Sequence, residues 1–378
     1  MISGGIEIKG HKSPQETLNF KTSKPFTVGA ELEVQLVNRE DFSLSDSADI
    51  IFKNLPEDLK DIVQPEVLTS MVEIVSPVCE KPEEVVYYLR KSLKEINQIG
   101  KDYGFTISAL GTHTFAKKEE THITAKERYL RLLKELQILL RQFLIYGLHI
   151  HVGFPDRESA VRAYNLTINY LPVFLGISTS SPFFYGEFTG LHSYRTKIFE
   201  QLPRAGIPEY FKNFSEFEEL FFILKDEGFI ESIKDIWWDV RIHPDLGTVE
   251  LRVCDSNPEL DRIELLITLF QGISMLAQEI IIPEFYHQIL KQNKWNATRH
   301  SIYGKFIDIN GTSTVKEKAF ELLENMQKKG IFEKLKTEDR INKLKDVLKK
   351  KPVSEKMILV YKKTNDIRIL ESLGFIEE

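Results

Sequence analysis

Hydrophobic and polar residues alternate along several short stretches of the chain, which is the pattern of strands with one buried face. Between residues 26 and 37, every even position from Val28 to Leu36 is apolar, and the odd positions from Thr27 to Gln35 are polar or small. This alternation predicts a half-buried strand. The same reasoning predicts strands at 71–76, 105–110 and 148–154, and a hairpin at 240–255 with its turn at 244–247.

Apolar residues at intervals of three and four predict the helices that connect these strands. They are expected at 82–100, 124–146, 158–169, 214–224 and across the apolar run 265–277. From about residue 314, Lys and Glu dominate and apolar residues keep helical spacing, which indicates a helical C-terminal layer. The Ser-, Gly- and Phe-rich segment 178–190 is expected to be a loop and a candidate cover for a site. Strands and helices do not alternate strictly, which favours an α+β fold over a doubly wound sheet.

The composition narrows the class of protein. The chain has 378 residues and a formal net charge of −6, with 42% hydrophobic and 28% charged residues. These values are typical of a globular protein, and they exclude a disordered chain, a collagen-like fibre and a basic nucleic-acid binder. The apolar run 265–277 is shorter than the roughly 20 residues that a membrane span needs, so no membrane segment is expected.

The two cysteines, Cys79 and Cys254, are too few for a disulfide framework. A reducing compartment and a cytoplasmic location are therefore expected. Neither cysteine has a histidine close to it in the sequence that would support a thiolate nucleophile. Both are expected to be packing residues.

Three of the predicted strands carry two polar residues that are two positions apart. These pairs are Glu31 and Glu33, His149 and His151, and Glu250 and Arg252. The spacing puts both members of a pair on one face of a strand, and Glu73 adds a carboxylate on a fourth strand. An isolated pair of this kind is most often part of a solvated sheet face. These strands, however, contain no Lys, and clustered carboxylates repel one another unless cations offset their charge.

A shared face of carboxylates and imidazoles suits Mg²⁺ or Mn²⁺, and the histidines favour Mn²⁺. Zinc would more often recruit three histidine or cysteine ligands. Arginines accompany this face, since Arg252 lies on it, Arg241 lies across the predicted turn, and Arg195 and Arg299 lie in polar segments. Arginine binds phosphate oxygens bidentately, so these residues indicate an anionic ligand. The sequence contains no Walker-type phosphate loop, dinucleotide-binding fingerprint or hydrolase nucleophile elbow.

Six stretches of the sequence resemble the carboxylate–amine ligases of the glutamate–cysteine ligase type 2 family, within the glutamine synthetase-like superfamily. They are 26–33 (FTVGAELE), 73–77 (EIVSP), 147–153 (GLHIHVG), 180–183 (SSPF), 193–195 (SYR) and 237–255 (WWDVRIHPDLGTVELRVCD). With a looser match near 295–304, the resemblance covers about 26–304. It implies an antiparallel sheet curved around an active-site funnel, with helices packed outside. It also implies ATP, two or three Mg²⁺ or Mn²⁺ ions, and an amino-acid carboxylate as the phosphoryl acceptor.

The resemblance also implies roles for individual residues. The implied metal set is Glu31, Glu33, Glu66, Glu73, His149 and Glu250. Arg252 and Arg241 are the implied catalytic residues. The residues implied to face nucleotide or substrate are His151, Arg195 and Arg299. Glu66 enters this set through the resemblance alone, because the sequence pattern does not single it out.

The expected organisation is an N-terminal extension at 1–25, a catalytic domain at 26–313 and a helical layer at 314–378 that packs on the same domain. The expected activity is an ATP-dependent ligation, in which a carboxylate such as the glutamate side chain becomes an acyl phosphate and reacts with an amine such as that of cysteine. Small-molecule amino acids are the expected partners, and neither nucleic acid nor a membrane is. The resemblance is compatible with a homo-oligomer.

Two alternatives to a ligase stay open at this point. One is a metal-dependent amidohydrolase, because a strand with two histidines two positions apart also occurs in barrel hydrolases. The other is a nucleotide- or amino-acid-binding protein without turnover, although a pure binder has little need for so many clustered carboxylates.

Overall fold

The computed structural model describes residues 17–376, which form an α+β structure around one antiparallel sheet. The strands are β1 (Val28–Asn38), β2 (Val63–Pro65), β3 (Met71–Val75), β4 (Phe105–Ser108), β5 (Gly147–Gly153), β6 (Phe183–Phe184), β7 (Glu187–Phe188), β8 (Ala205–Gly206), β9 (Trp237–Trp238), β10 (Val240–His243), β11 (Thr248–Asp255), β12 (Lys305–Asp308) and β13 (Gly311–Thr314). The α+β prediction is confirmed.

Helices follow most of the strands in the chain. They are α1 (Ala48–Asn54), α2 (Pro82–Tyr103), α3 (Glu127–Leu136), α4 (Ile138–Arg141), α5 (Arg157–Ser178), α6 (Arg195–Phe199), α7 (Phe214–Asp226), α8 (Leu260–Leu276), α9 (His287–His300), α10 (Val315–Lys328), α11 (Ile331–Leu335), α12 (Ile341–Lys349) and α13 (Val353–Thr364). A 3₁₀ segment at Arg368–Gly374 follows α13.

The main sheet has seven strands in the order β10-β11-β5-β1-β3-β2, with β4 paired to the far end of β1. All of its pairings are antiparallel. The predicted hairpin is present as β10 and β11. The even positions of β1 from Val28 to Leu36 are buried against the core, whereas Glu31 and Glu33 are only partly buried on the opposite face. The sheet therefore has an apolar face and a polar face, as the alternation predicts.

Helices α5 and α8 cover the apolar face of the sheet. Almost every residue of α8 is buried, as expected for a helix that is apolar on all sides. The predicted end of α5 at residue 169 is wrong, because the helix continues through Pro172 to Ser178. The residues after Pro172 are buried, including Val173 and Phe174. Their burial in the core outweighs the local cost of proline in a helix.

The predicted single helix at 124–146 is also wrong. It is divided at Gln137, whose backbone has φ 50°, into α3 and the single turn α4. The chain then leaves helical geometry and enters β5. Leu144 and Tyr146 are fully buried in this irregular segment. The leucine spacing continues across the break, so the pattern could not show where the chain turns.

The chain ends pack on the same body as the sheet. Of the predicted extension 1–25, residues 1–16 lie outside the described part of the chain. Beyond them, Lys21 N donates to the carbonyl of Pro244 at 2.9 Å, at the turn between β10 and β11. At the other end, helices α10 to α12 contribute to the same hydrophobic cluster as β1. Residues 377 and 378 of the C-terminal layer are likewise outside the described residues.

Both cysteines are buried, as expected of packing residues. Burial raises the pKa of the Cys79 thiol to about 11 and that of Cys254 to about 12. Neither thiol is therefore a ready source of thiolate at neutral pH. Among residues 17–376, no helix combines the length and apolar character needed to cross a membrane.

Two glycines provide a test of the packing at the hairpin turn. Gly247 has φ +64°, and a Cβ there would lie 1.6 Å from the carbonyl oxygen of Lys21. Gly228 has φ +74° with open space around it. We expect Gly228→Ala to cost about 1 kcal/mol of unfolding free energy, from the left-handed backbone alone. Gly247→Ala should cost at least about 2 kcal/mol more, because the chain must also move apart. Urea unfolding measures both, and equal losses would contradict the close approach.

Candidate functional site

The register of the sheet brings the polar pairs of the sequence onto one face. Glu31 lies opposite His149 in the pairing of β1 with β5, and Glu33 lies opposite Glu73 in the pairing of β1 with β3. In the next strands of the sheet, Glu250 lies opposite both His151 and Arg241. Directly opposed residues share a face, so these side chains form one continuous polar surface.

Glu66 joins the same surface from β2. Gln64 is paired with Glu73, and Glu66 follows it by two positions just beyond the end of the strand. The even spacing keeps both side chains on the polar face. The backbone N–H of Val67 donates to Glu66 Oε2 at 2.7 Å, which orients the carboxylate.

A cavity of about 280 Å³ lies over this polar face. Its floor is the set of acidic, imidazole and guanidinium side chains from the sheet. Its roof is apolar, with Leu132 and Leu136 from α3, Leu140 from α4, and Phe143 beyond it. Apolar side chains beside charged groups reduce the contact of those groups with water, which strengthens the electrostatic interactions among the charged groups.

The carboxylates and imidazoles come close enough to share metal ions. Three overlapping groups have candidate ligand atoms within 4.8 Å of one another, and together they contain Glu31, Glu33, Glu66, Glu73, His149, His151 and Glu250. Six of these seven are the residues implied as metal ligands by the sequence resemblance. The seventh, His151, was expected to face nucleotide or substrate, and its position makes it a further candidate ligand.

The pKa values of the acidic groups indicate how crowded the negative charge is. Burial and the neighbouring Glu33 raise the pKa of Glu66 to about 7. Burial and Glu31 raise the pKa of Glu73 well above its ordinary value. Burial opposes the charge of Glu31 as well, but the adjacent imidazoles of His149 and His151 hold its pKa far below the usual range. The positive charge near Glu33, Glu66 and Glu73 is therefore too small to neutralise these three carboxylates.

The histidines are oriented as metal ligands usually are. His151 Nδ1 lies 3.0 Å from Thr248 Oγ1, which fixes the ring. Its Nε2 is buried, faces Glu31 Oε1 at 3.4 Å, and has no hydrogen-bond partner among residues 17–376. On the same strand, His149 Nδ1 is 3.3 Å from Glu31 Oε2. This donor set of carboxylate oxygens with imidazole nitrogens fits Mg²⁺ or Mn²⁺.

Glu250 holds two arginines in place. Arg241 donates to Glu250 Oε2 from Nε at 2.9 Å and from Nη2 at 2.5 Å, and Arg252 donates from Nη1 to Oε1. Nη1 of Arg241 donates to the carbonyls of both Ile233 and Ile236. Arg241 thus has most of its donors used within the protein, so its geometry fits a positioning residue better than the catalytic role that the sequence suggested. Arg252 keeps a buried, unpartnered Nε within the described part of the chain.

Two further expectations are corrected by the structure. Arg299 is exposed in the last turn of α9 and is not among the residues that line the cavity. The segment 178–190 forms the small β6–β7 hairpin instead of a cover. Its Phe183 is buried against the C-terminal helix residues Val353 and Met357, so the aromatic residues serve packing there.

Sequence reasoning missed several residues of the cavity wall. Besides Phe143 and Phe199, the basic, aromatic and imidazole ones are Arg128, Tyr129, Lys234, Trp237 and His243. His243 and Trp237 lie within the longest matched stretch, and the parity of His243 with Arg241 on β10 could have placed it on the polar face. The others come from α3 and from a 3₁₀ turn, and no strand pattern reports on those elements.

Comparisons with known proteins agree with this architecture. The profile of glutamate–cysteine ligase family 2 (GCS2) matches residues 27–355. Relatives from Herpetosiphon aurantiacus and Thermobifida fusca, both named "Putative glutamate–cysteine ligase 2", are 32% and 33% identical. The alignment with the first covers 91% of each chain, and the alignment with the second covers 82% of this chain and 81% of the relative.

Two solved structures share the fold. The glutamate–cysteine ligase of Francisella tularensis, in complex with AMP, superposes with a TM-score of 0.67 at 12% identity and covers 94% of this chain and 88% of its own. A bifunctional glutathione synthetase from Pasteurella multocida gives 0.69 at 12% identity, and the match covers 92% of this chain and 52% of that protein. At such identities the likeness shows the fold alone.

Substitution of one acidic residue tests the metal site without relying on activity. We expect Glu73→Gln to weaken Mn²⁺ binding about tenfold or more, because a candidate ligand is lost. The metal-free variant should nevertheless unfold at a higher temperature, since the amide removes charge repulsion within the acidic face. Electron paramagnetic resonance measures free Mn²⁺, and calorimetry measures the unfolding temperature.

The matched control for this test is Glu57→Gln. Glu57 is a glutamate whose side chain is 88% exposed in an ion pair with Lys60. The substitution Glu57→Gln should change neither the Mn²⁺ affinity nor the unfolding temperature appreciably. Equal Mn²⁺ affinity of the wild type and Glu73→Gln would contradict the placement of a cation at Glu73.

Proposed function

The chain belongs to glutamate–cysteine ligase family 2, and we propose that it activates the side-chain carboxylate of glutamate with ATP and joins it to the amine of cysteine. The observation that carries the proposal is the polar face, on which a metal-ligand set and two arginines meet under an apolar roof. The named relatives suggest the substrate pair. Membership in a ligase family also favours ligation over amide hydrolysis and over binding without turnover.

We propose that the acidic face binds the divalent cations that accompany ATP. The holders would be Glu31, Glu33, Glu66, Glu73, His149 and Glu250, with His151 as an additional candidate. Bound Mg²⁺ or Mn²⁺ would offset the charge of the phosphates and allow a carboxylate to approach the γ-phosphorus. Burial and mutual repulsion disfavour the charged form of Glu66 and Glu73 and raise their pKa values. A bound cation would relieve this repulsion.

Arg252 is the proposed catalytic residue for the transfer. Glu250 fixes its guanidinium through Nη1, and its Nε has no hydrogen-bond partner among residues 17–376. A preorganised donor of this kind stabilises negative charge as it develops on the transferred group. Arg241 anchors Glu250 from the opposite side, so it supports Arg252 indirectly.

In the first step the carboxylate oxygen would bond to the γ-phosphorus as the bond to the bridging oxygen of ADP breaks, which gives an acyl phosphate and ADP. The amine nitrogen would then attack the acyl carbon and give up a proton, the bond to the phosphate oxygen would break, and inorganic phosphate would leave. Water would compete with the amine for the acyl carbon. The apolar side chains of Leu132, Leu136 and Leu140 over the cavity would limit its access.

Trapping of the activated carboxylate tests the proposed reaction. Purified protein with ATP, Mg²⁺ and glutamate should form glutamyl hydroxamate when hydroxylamine is supplied, because hydroxylamine replaces the natural amine. Cysteine in place of hydroxylamine should accelerate ADP release. Hydroxamate with a different amino acid would correct the substrate and keep the ligase. Release of ADP without hydroxamate for any carboxylate would contradict acyl transfer.

Two arginine variants test the role of Arg252. We expect Arg252→Ala to lower kcat by about 10²- to 10³-fold, in the range seen when one preorganised donor is removed. Its affinity for the ATP analogue AMP-PNP should fall by less than about tenfold, since the proposed contact strengthens in the transition state. Arg299→Ala is the control, because Arg299 is exposed outside the cavity, and both quantities should stay at the wild-type level. A larger loss in affinity than in kcat would assign Arg252 to ground-state binding instead.

A further inference from the structure

The single-turn helix α6 places an arginine and a phenylalanine together at the cavity. Arg195 and Phe199 are four residues apart, which puts their side chains on one face of the turn. Both line the cavity. Arg195 is buried, with 2% of its surface exposed, and it approaches the sheet next to Gly147. A Cβ at position 147 would lie 2.2 Å from Arg195 Nη2, so the glycine leaves the space that the guanidinium occupies.

The Phe199 ring lies next to two guanidinium groups at once. Its centroid is 5.6 Å from Cζ of Arg195 and 6.0 Å from Cζ of Arg252. Phe143 stacks on the ring, with centroids 6.2 Å apart and planes inclined by 29°. The negative face of an aromatic ring attracts cations, and most strongly where water is excluded. Two neighbouring guanidinium groups repel each other, and a shared ring offsets part of that repulsion.

Both guanidinium groups keep donors that the protein leaves unused. The contacts of Arg195 to the carbonyl of Arg252 are long, at 3.4 Å from each Nη atom. Within residues 17–376, the buried Nε atoms of Arg195 and Arg252 have no hydrogen-bond partner. Buried donors without partners are costly, so a ligand that accepts from them gains affinity.

A buried lysine forms ion pairs with two carboxylates near Arg195. Lys294 is 2% exposed, and its Nζ lies 2.5 Å from Asp239 Oδ2 and 2.6 Å from Glu200 Oε1. Glu200 directly follows Phe199, and the backbone carbonyl of Asp239 accepts from the N–H of Arg252 at 2.8 Å. Lys294 thus pairs with both acids, and Arg252 is paired with Glu250 through Nη1, so the Nε atoms of Arg195 and Arg252 are the donors left for an external anion within residues 17–376.

From these contacts we propose that Phe199 is a positioning residue, which holds Arg195 and Arg252 side by side as a seat for one phosphate group of the nucleotide. The inference rests on the proposed function, because it assigns the anion to ATP. It adds that the aromatic ring sets the spacing of the two arginines. Two adjacent guanidinium groups can each donate to separate oxygens of one phosphate, which fixes both its place and its orientation.

Isothermal titration with two anions tests this role. The probes are AMP-PNP with Mg²⁺, and inorganic pyrophosphate with Mg²⁺. Phe199→Leu removes the ring but keeps an apolar side chain, and we expect it to weaken both anions about tenfold. Phe199→Tyr keeps the ring and should stay within about twofold of the wild type. Thermal unfolding of each variant reports on its fold, and Phe199→Met replaces Phe199→Leu if the latter does not fold.

Phe143→Leu is the matched packing control, since Phe143 stacks on Phe199 whereas, within the described residues, both guanidinium groups lie over the ring of Phe199 and neither lies over that of Phe143. We expect a loss of less than about threefold for both anions. In Phe199→Leu, kcat should fall together with nucleotide affinity, because Arg252 loses its position as well. A packing role alone would lower unfolding temperature and leave the affinities unchanged.

Each remaining result overturns a distinct statement. Equal losses in Phe199→Leu and Phe143→Leu, or equal losses in Phe199→Leu and Phe199→Tyr, would refute the positioning role. Weaker AMP-PNP binding with unchanged pyrophosphate binding would show that the ring stacks on the base, which also refutes it. If the wild type binds neither anion, the proposed function fails together with the seat. If the wild type binds both anions and Phe199→Leu does not weaken either, the phosphate seat is refuted but the proposed function is not.

Discussion

Mutual repulsion of carboxylates on one face of an antiparallel sheet is the constraint on which the rest of the site depends. The register leaves no alternative, because opposed residues on β1, β3, β5 and β11 must share that face. Its two halves balance charge differently. Around Glu250, two arginines and two imidazoles lower the pKa of the carboxylate despite complete burial. Around Glu66 and Glu73, burial and neighbouring carboxylates raise the pKa values, and in our proposal a bound cation offsets this charge.

Ion pairs and hydrogen bonds within the protein distinguish two kinds of basic side chain at the site. Some have their donors occupied by the protein, and others keep donors for a ligand. Arg241 and Lys294 are buried, and each is held by charged partners within the chain. Arg195 is buried and Arg252 is partly buried beside the cavity. Arg252 also pairs with Glu250 through Nη1, but within residues 17–376 the Nε atom of each arginine has no hydrogen-bond partner. Burial of a charge is expensive unless it is paired, so we propose these donors as the groups that a ligand engages.

Much of this arrangement could be predicted from the sequence because strands have a period of two. That period is enough to place Glu31 with Glu33, His149 with His151, and Glu250 with Arg252, and the turn residues at 244–247 locate the hairpin. The period does not show which strands are neighbours, so the contact of Glu73 with Glu33 needed the register. Glu66 lies beyond a three-residue strand, which is too short to carry a pattern.

Helical and loop elements were less predictable for physical reasons. The leucine spacing of 124–146 continues through the break at Gln137, because buried leucines serve an irregular segment as well as a helix. Arg299 and Arg195 both lie in polar segments of the sequence. In the structure, however, Arg299 is exposed, whereas Arg195 is buried beside Gly147. Only the tertiary structure distinguishes them.

The polar face of the sheet is, in our proposal, a divalent-cation site that serves the nucleotide. Anomalous diffraction from crystals grown with Mn²⁺ and AMP-PNP tests this role most directly. We expect manganese peaks bounded by Glu31, Glu73 and His149, with the phosphates of the nucleotide between those peaks and Arg252. An ordered nucleotide with no manganese peak on that face, or with its phosphates away from both, would contradict the proposed role of the polar face.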